Sequence, residues 1–236
     1  MRNWFFLFLA VPVLAMASGS ELHLDRAPNR SNDKAALQNG AKVFVNYCLN
    51  CHSASYMRYN RLKDLGLTDQ QIKDNLLFTA DKVGEPMNVA MRRDEAKEWF
   101  GVAPPDLTVI ARARASEFGS GADWLYTYLR GFYRDSKRPT GWNNTVFENV
   151  GMPHVLWELQ GEQVLGEDHK LTLATPGKMQ PQAYDDMVAD LVGFLQYMGE
   201  PGAAKRKSLG WIVLLFLGVL FVLAYALKRE YWKDIH

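Results

Sequence analysis

Both cysteines of this 236-residue chain fall in one short stretch, NYCLNCHSAS at residues 46–55, where Cys48 and Cys51 are three apart and His52 follows at once. Four uses compete for such a pair: a short disulfide, a thioredoxin-like redox site, half of a zinc site, or two thioether attachment points for a c-type haem. Thioredoxin-type chemistry expects a βαβ setting, whereas the residues before the motif have helical spacing. A closed zinc site needs four ligands, and the chain has no second cysteine pair and no close histidine pair; His154 and His169 lie far downstream and fifteen apart. A disulfide accounts for the cysteines but leaves His52 unused. Haem uses all three, because thiols one helical turn apart reach both vinyl groups of one porphyrin edge while the next imidazole lies under the iron. One motif implies one covalently bound haem c, with His52 as the proximal ligand.

The opposite face of the iron then needs a ligand or stays open. A methionine would raise the potential and close the iron; an open position would suit ligand chemistry. Of the nine methionines, Met1 and Met16 sit in an apolar leader, Met57 is too near His52, and Met187 and Met198 lie on an apolar helix face. Met87, Met91, Met152 and Met179 remain. Met152, in NVGMPHVLW, has Gly151 for close approach and Pro153 to stiffen it; Met179, in PGKMQP, precedes the last helix of the domain. Spacing leaves these two level. His154 is a third candidate, although a lone loop histidine is more often a surface or hydrogen-bonding residue. In APPDLTVIARAR, residues 103–114, Arg112 and Arg114 are candidates to pair haem propionates.

The elements that position these residues read as mainly α-helical with long loops. A helix is predicted from about Asp33, capped by Asn32, with Leu37, Ala41, Phe44 and Tyr47 at helical spacing, and it runs into the cysteine motif. Thr68-x-x-Gln71 is a capping box before Ile72, Leu76 and Leu77. Residues 79–105 read as loop with a helical turn near 94–100. Firmer helices are predicted at about 121–133 and 182–198, the second with Tyr184, Met187, Val188, Leu191, Leu195 and Met198 on one face, Pro181 before it and Gly199 after it. A small hairpin is predicted within QVLGEDHKLTLA. Long loops in a compact domain need something to fold around.

The chain's two ends bound its location. MRNWFFLFLAVPVLAMASGS reads as a signal peptide ending at Ala15-Met16-Ala17, so residues 1–17 are predicted to be removed. Residues 209–227 carry no charge and lie between Lys205-Arg206-Lys207 and Lys228-Arg229, with Trp211, Tyr225, Tyr231 and Trp232 as interfacial anchors, a predicted single membrane span. Basic residues on both sides leave orientation open; export by the leader places residues 18–204 in the periplasm and the tail in the cytoplasm, at the cell inner membrane. That domain has 20 Lys and Arg against 24 Asp and Glu, a net of minus four, which argues against nucleic-acid binding.

The motifs in order, CLNCHSASYMRYNRL, APPDLTVIARAR, GMPHVLW, FLQYMGEP and one C-terminal span, resemble the cytochrome c1 family, the haem subunits of cytochrome bc1 complexes. The resemblance implies a c-type cytochrome domain with Cys48 and Cys51 holding the haem and His52 under the iron. It favours Met152 over Met179 as distal ligand, sets Arg114 beside a propionate, and lines the pocket with Pro104 and Pro105. It further implies cytochrome b, a Rieske iron–sulfur protein and a cytochrome c acceptor as partners, with single electrons passing from Rieske protein to cytochrome c. The rival uses are an anchored, peroxidase-like haem enzyme with an open axial site and a tethered cytochrome serving a terminal oxidase. In the family the methionine is often followed by more than one proline, whereas here His154 follows Pro153, and the second cysteine pair of some relatives is absent.

Overall fold

The computed structural model describes residues 22–234. The predicted signal peptide, residues 1–17, lies outside them. Residues 22–30 form an irregular arm, followed by a turn, and the arm is fastened by hydrogen bonds, Asp25 N–H to Thr127 Oγ1 and Ala27 N–H to Asp123 Oδ1, both 2.8 Å. Helix α1 (Lys34–Val43) follows. Its cap is Asp33, which accepts from Ala36 N–H, one residue later than the predicted Asn32. Helix α7 (Pro181–Gly199) lies against α1 and extends one residue beyond the predicted 182–198 at each end, taking in Pro181 because proline has no N–H to lose at that position.

The α1–α7 contact is the centre of the core. Gly40 makes it possible: a Cβ there would lie 2.1 Å from the Asp190 carbonyl oxygen, so only a glycine lets the backbones approach this closely. Phe44 and Phe194 meet with ring centroids 5.6 Å apart. Every residue of the predicted apolar face of α7 is buried, and Ala189, Val192 and Phe194 are buried too, so the helix is covered on most sides. Each such large side chain contributes about 1.5–3 kcal/mol of burial.

Between them run short elements and long connections: β1 (Ala54–Arg58), a 3-10 stretch (Tyr59–Leu65), α2 (Asp69–Asn75), β2 (Pro86–Met87), α3 (Arg93–Phe100) and α4 (Ile110–Ala113). The Thr68–Gln71 capping box forms in both directions. Helix α5 (Gly121–Arg130) ends earlier than predicted. The reason is Gly131, after which β3 (Phe132–Arg134) pairs antiparallel with β4 (Trp142–Asn144) instead of continuing the helix. A turn, α6 (Trp157–Gln160), leads into the predicted hairpin, β5 (Gly161–Leu165) with β6 (Leu171–Pro176). Arg130 ties three elements together, donating from Nε (2.7 Å) and Nη2 (3.0 Å) to Asp185 of α7 and from Nη1 (2.8 Å) to Asp25 of the arm.

Helix α8 (Ala203–Tyr231) has 29 residues, about 43 Å at about 1.5 Å per residue. Residues 205–231 within it have a mean hydropathy of 2.6 over their most apolar window and are not buried by the rest of the chain. The architecture is mainly α, with one C-terminal helix long and apolar enough to cross a membrane.

Candidate functional site

Helix α1 does not stop at Val43 but widens into a π turn over Phe44–Cys48, where Leu49 N–H reaches back to the Phe44 carbonyl at 3.0 Å. Such turns recur at functional sites because they shift the face a helix presents. Phe44, Val45 and Leu49 turn into the core, while Cys48, Cys51 and His52 are left half-buried. Cys51 N–H and His52 N–H both donate to the Cys48 carbonyl, at 3.1 and 2.9 Å, closing the turn. Both thiols are free. Burial, helped by the nearby Cys51 charge, pushes the Cys48 thiol up to about 12, and burial raises Cys51 as well. A redox-active dithiol needs the opposite, a thiolate favoured near neutral pH. Among the described residues no cluster of His, Cys, Asp and Glu could hold a metal ion.

His52 Nδ1 lies 2.7 Å from the Pro105 carbonyl oxygen. A carbonyl only accepts, so Nδ1 carries the proton and Nε2 has the free lone pair. Burial lowers the imidazole's pKa, with the Pro105 hydrogen bond and the Asp106 charge opposing, and the neutral ring is the form that binds a metal. Asp106 builds the segment behind this contact. Its carboxylate accepts from Ser55 N–H at 2.8 Å, from Thr108 N–H at 2.8 Å and from the Thr108 hydroxyl at 2.6 Å, drawing the start of β1 against the approach to α4. Those donors hold its pKa below the usual carboxylate value although burial works the other way. Asp106 was not singled out in the sequence; the signal was an aspartate two residues before Thr108, the pattern of an Asx turn. Pro104 and Met91 line one cleft with Cys51 and Asp106.

Further along the same segment, the two arginines part. Arg114 is half-buried, its guanidinium 4.5 Å from the Trp124 ring centroid and 5.8 Å from that of Phe147. Arg112 is exposed beside Gly199 at the end of α7. Trp124 stacks on Tyr128 at 4.7 Å and 15° between planes. The Tyr128 hydroxyl donates to Met152 Sδ at 3.4 Å. This column stands where it does because α5 begins tight against α4: a Cβ on Gly121 would lie 2.0 Å from the Ala111 carbonyl oxygen. Gly151 adjoins Val102, so the Met152 loop meets the chain two residues before Pro104.

The other methionines are placed differently. Met87 is fully buried in β2, opposite Ala54 of β1. Met179 is half-buried after β6, its N–H bonded to the Leu159 carbonyl at 3.0 Å. His154 is not the surface residue expected of a lone loop histidine. It is 3 % exposed, stacked on Phe132 at 4.8 Å and meeting Trp142 edge-on at 5.0 Å. Burial lowers its pKa to about 4, Gln160 opposing and the Arg134 charge adding to the fall. That cage fits a neutral core histidine.

A haem c fits these residues. Two free thiols stand on one turn, the histidine between them and Pro105 has an unused Nε2, and a half-buried thioether lies on a loop that meets the same segment. On a mainly helical fold with one apolar C-terminal helix, these features define a c-type cytochrome. Comparison with known proteins gives the family. The model of the "Cytochrome C1 family" matches residues 25–235, and the chain belongs to that family. It is similar to a cytochrome c1 of Allochromatium vinosum, 50% identical with 98% of this chain and 97% of that one covered, and to one of Rhodospirillum rubrum, 30% identical with 86% and 83% covered. A protein of Nitrosomonas europaea described as "Ammonia monooxygenase gamma subunit" is 52% identical, with 100% of both chains covered.

Proposed function

We propose that this chain is the haem-bearing electron-transfer subunit of a membrane-bound cytochrome bc1 complex, taking single electrons from a Rieske iron–sulfur protein and passing them to cytochrome c while cytochrome b handles quinol. Membership of the cytochrome c1 family supports haem c as cofactor, cytochrome b and the Rieske protein as partners, and a place in an oxidoreductase complex. The observation that carries the reading is His52, whose Nδ1 is spent on Pro105 so that Nε2 is left for a metal, on a turn with two free thiols. One haem c bound there supplies reversible one-electron chemistry.

Cys48 and Cys51 would hold it by thioethers, with His52 Nε2 as proximal ligand and Met152 as distal ligand. Met179 is the fallback, and its bond to Leu159 beside the hairpin makes it the weaker choice. Arg114 would face a propionate, its guanidinium kept in place by Trp124; Arg112, exposed, is the lesser partner. Pro104 and Pro105 would wall the pocket. In this reading no side chain acts as acid, base or nucleophile, and the chain is a carrier rather than an enzyme by itself. Residues 18–204 form the periplasmic haem domain, α8 anchors it in the inner membrane, and the short tail is cytoplasmic. The leader supports this orientation, which the basic residues at both ends of the span leave undecided.

The test is purification from membranes, with haem staining after denaturation and identification of the co-purifying subunits. Haem on the denatured chain, with cytochrome b and a Rieske protein alongside, is the expected result. A chain without haem, or high-spin iron with an open axial site, would overturn the carrier reading. Recovery with a terminal oxidase would replace the bc1 assignment by the tethered-cytochrome reading. Recovery with ammonia monooxygenase subunits would do so in favour of the role named for the Nitrosomonas relative.

A further inference from the structure

We infer that Tyr128 is a positioning residue for Met152, its phenol hydroxyl holding the thioether sulfur and setting how strongly that sulfur binds iron. The inference rests on the reading of Met152 as distal ligand. Tyr128 is 8 % exposed, and among the described residues its hydroxyl makes one hydrogen bond, to Met152 Sδ at 3.4 Å. A phenol hydroxyl carries a proton to donate, and a thioether sulfur can only accept.

The ring is not free to turn away. One face stacks on Trp124, which is itself covered by Arg114, and Phe132 meets the ring at 5.1 Å and 67°. Phe132 in turn stacks on His154, two residues beyond Met152. The Tyr128 backbone is held too, its carbonyl accepting from Asn144 Nδ2 at 2.8 Å. One ladder of rings therefore fixes both the donor and the loop that carries the acceptor. This contact joins residues 24 apart, from a helix to a loop.

A donor on the sulfur draws electron density from the lone pair that the iron would share. A weaker sulfur donor favours the ferrous over the ferric state, so the Tyr128 hydroxyl raises the reduction potential. A purely structural role for the ring predicts no such effect.

The experiment uses the full chain in membranes with its haem bound. Tyr128→Phe keeps the ring and removes the hydroxyl. The expected result is unchanged covalent haem and retained sulfur ligation, with the reduced-to-oxidised ratio at a fixed poise falling about three- to tenfold. Tenfold is about 59 mV for a one-electron couple. Cyanide binding to the ferric protein should weaken severalfold, because a sulfur freed of the hydrogen bond is the stronger ligand to ferric iron and is harder to displace. Tyr126→Phe, whose ring lies under Arg130 instead, should leave both unchanged. An unaltered potential and unaltered cyanide binding in Tyr128→Phe would overturn the inference while leaving Met152 as ligand. A sulfur signature that survives Met152→Leu would overturn the ligand assignment itself, and this inference with it. If Tyr128→Phe does not accumulate, the wild type decides: transfer to deuterated water should shift its sulfur-to-iron absorption band, and an unmoved band refutes the hydrogen bond.

Discussion

Replacing Gly40 by alanine tests the packing that holds the cysteine turn in place. Two effects oppose. Alanine favours a helix interior by about 1 kcal/mol over glycine. Against that, the new methyl would lie 2.1 Å from the Asp190 carbonyl oxygen and 2.8 Å from Phe194 Cβ. One obstacle is backbone in the middle of α7, so α1 must move away, and the cost belongs at the upper end of the overpacking range, about 3 kcal/mol. The net loss is about 2 kcal/mol, which for a domain of this size lowers Tm by about 4–8 °C. Because α1 leads directly into Cys48, the yield of haem-loaded protein should fall as well. The assay is thermal unfolding of the detergent-solubilised holoprotein followed by circular dichroism, with Gly84→Ala as control. Gly84 has no atom within 4 Å of its would-be Cβ, so its variant should melt like the wild type. Equal melting of the two variants, or a more stable Gly40→Ala protein, would refute the packing argument.

Arg114→Gln should lower the potential or the haem occupancy, whereas Arg112→Gln should leave both near wild type, as read by redox titration side by side. Asp123 receives Ser120 N–H, the Ser120 hydroxyl at 2.6 Å and the arm's Ala27 N–H, which hold its pKa below the ordinary value although burial opposes them. Its contribution is therefore present above the unfolded carboxylate pKa and lost as the pH falls through the folded one. Asp123→Asn should cost about 1 kcal/mol at neutral pH and flatten the acid limb of the stability curve, measured by denaturant unfolding from pH 7 downward. A chain ending at residue 204 should be recovered from the soluble periplasmic fraction with haem attached, as shown by fractionation and haem staining.

The sequence was most legible where chemistry is written in adjacent residues. Cys48, Cys51 and His52 are adjacent in the chain, so the candidate haem motif could be read without tertiary information, and the predicted α2 cap and α7 face depend only on neighbours within a few turns. The helix predicted over about 121–133 stops at Arg130 because Phe132–Arg134 find partners at Trp142–Asn144, a pairing that no local periodicity encodes. The same hairpin explains His154: the rings that bury it come from β3 and β4, so its surroundings could not be read from its own loop. Arg112 and Arg114 looked equivalent in R-A-R, and one short helical turn sends them to different neighbours. The choice between Met152 and Met179 likewise depends on which loop reaches the segment before Pro104.

The axial ligand is therefore the residue on which the electron-transfer reading turns. Its most direct test compares the oxidised absorption spectra of Met152→Leu and Met179→Leu, purified with haem bound. The account predicts that the sulfur-to-iron band and low-spin character are lost in Met152→Leu and kept in Met179→Leu. The reverse pattern would contradict the assignment of Met152, and loss in neither would contradict methionine ligation altogether.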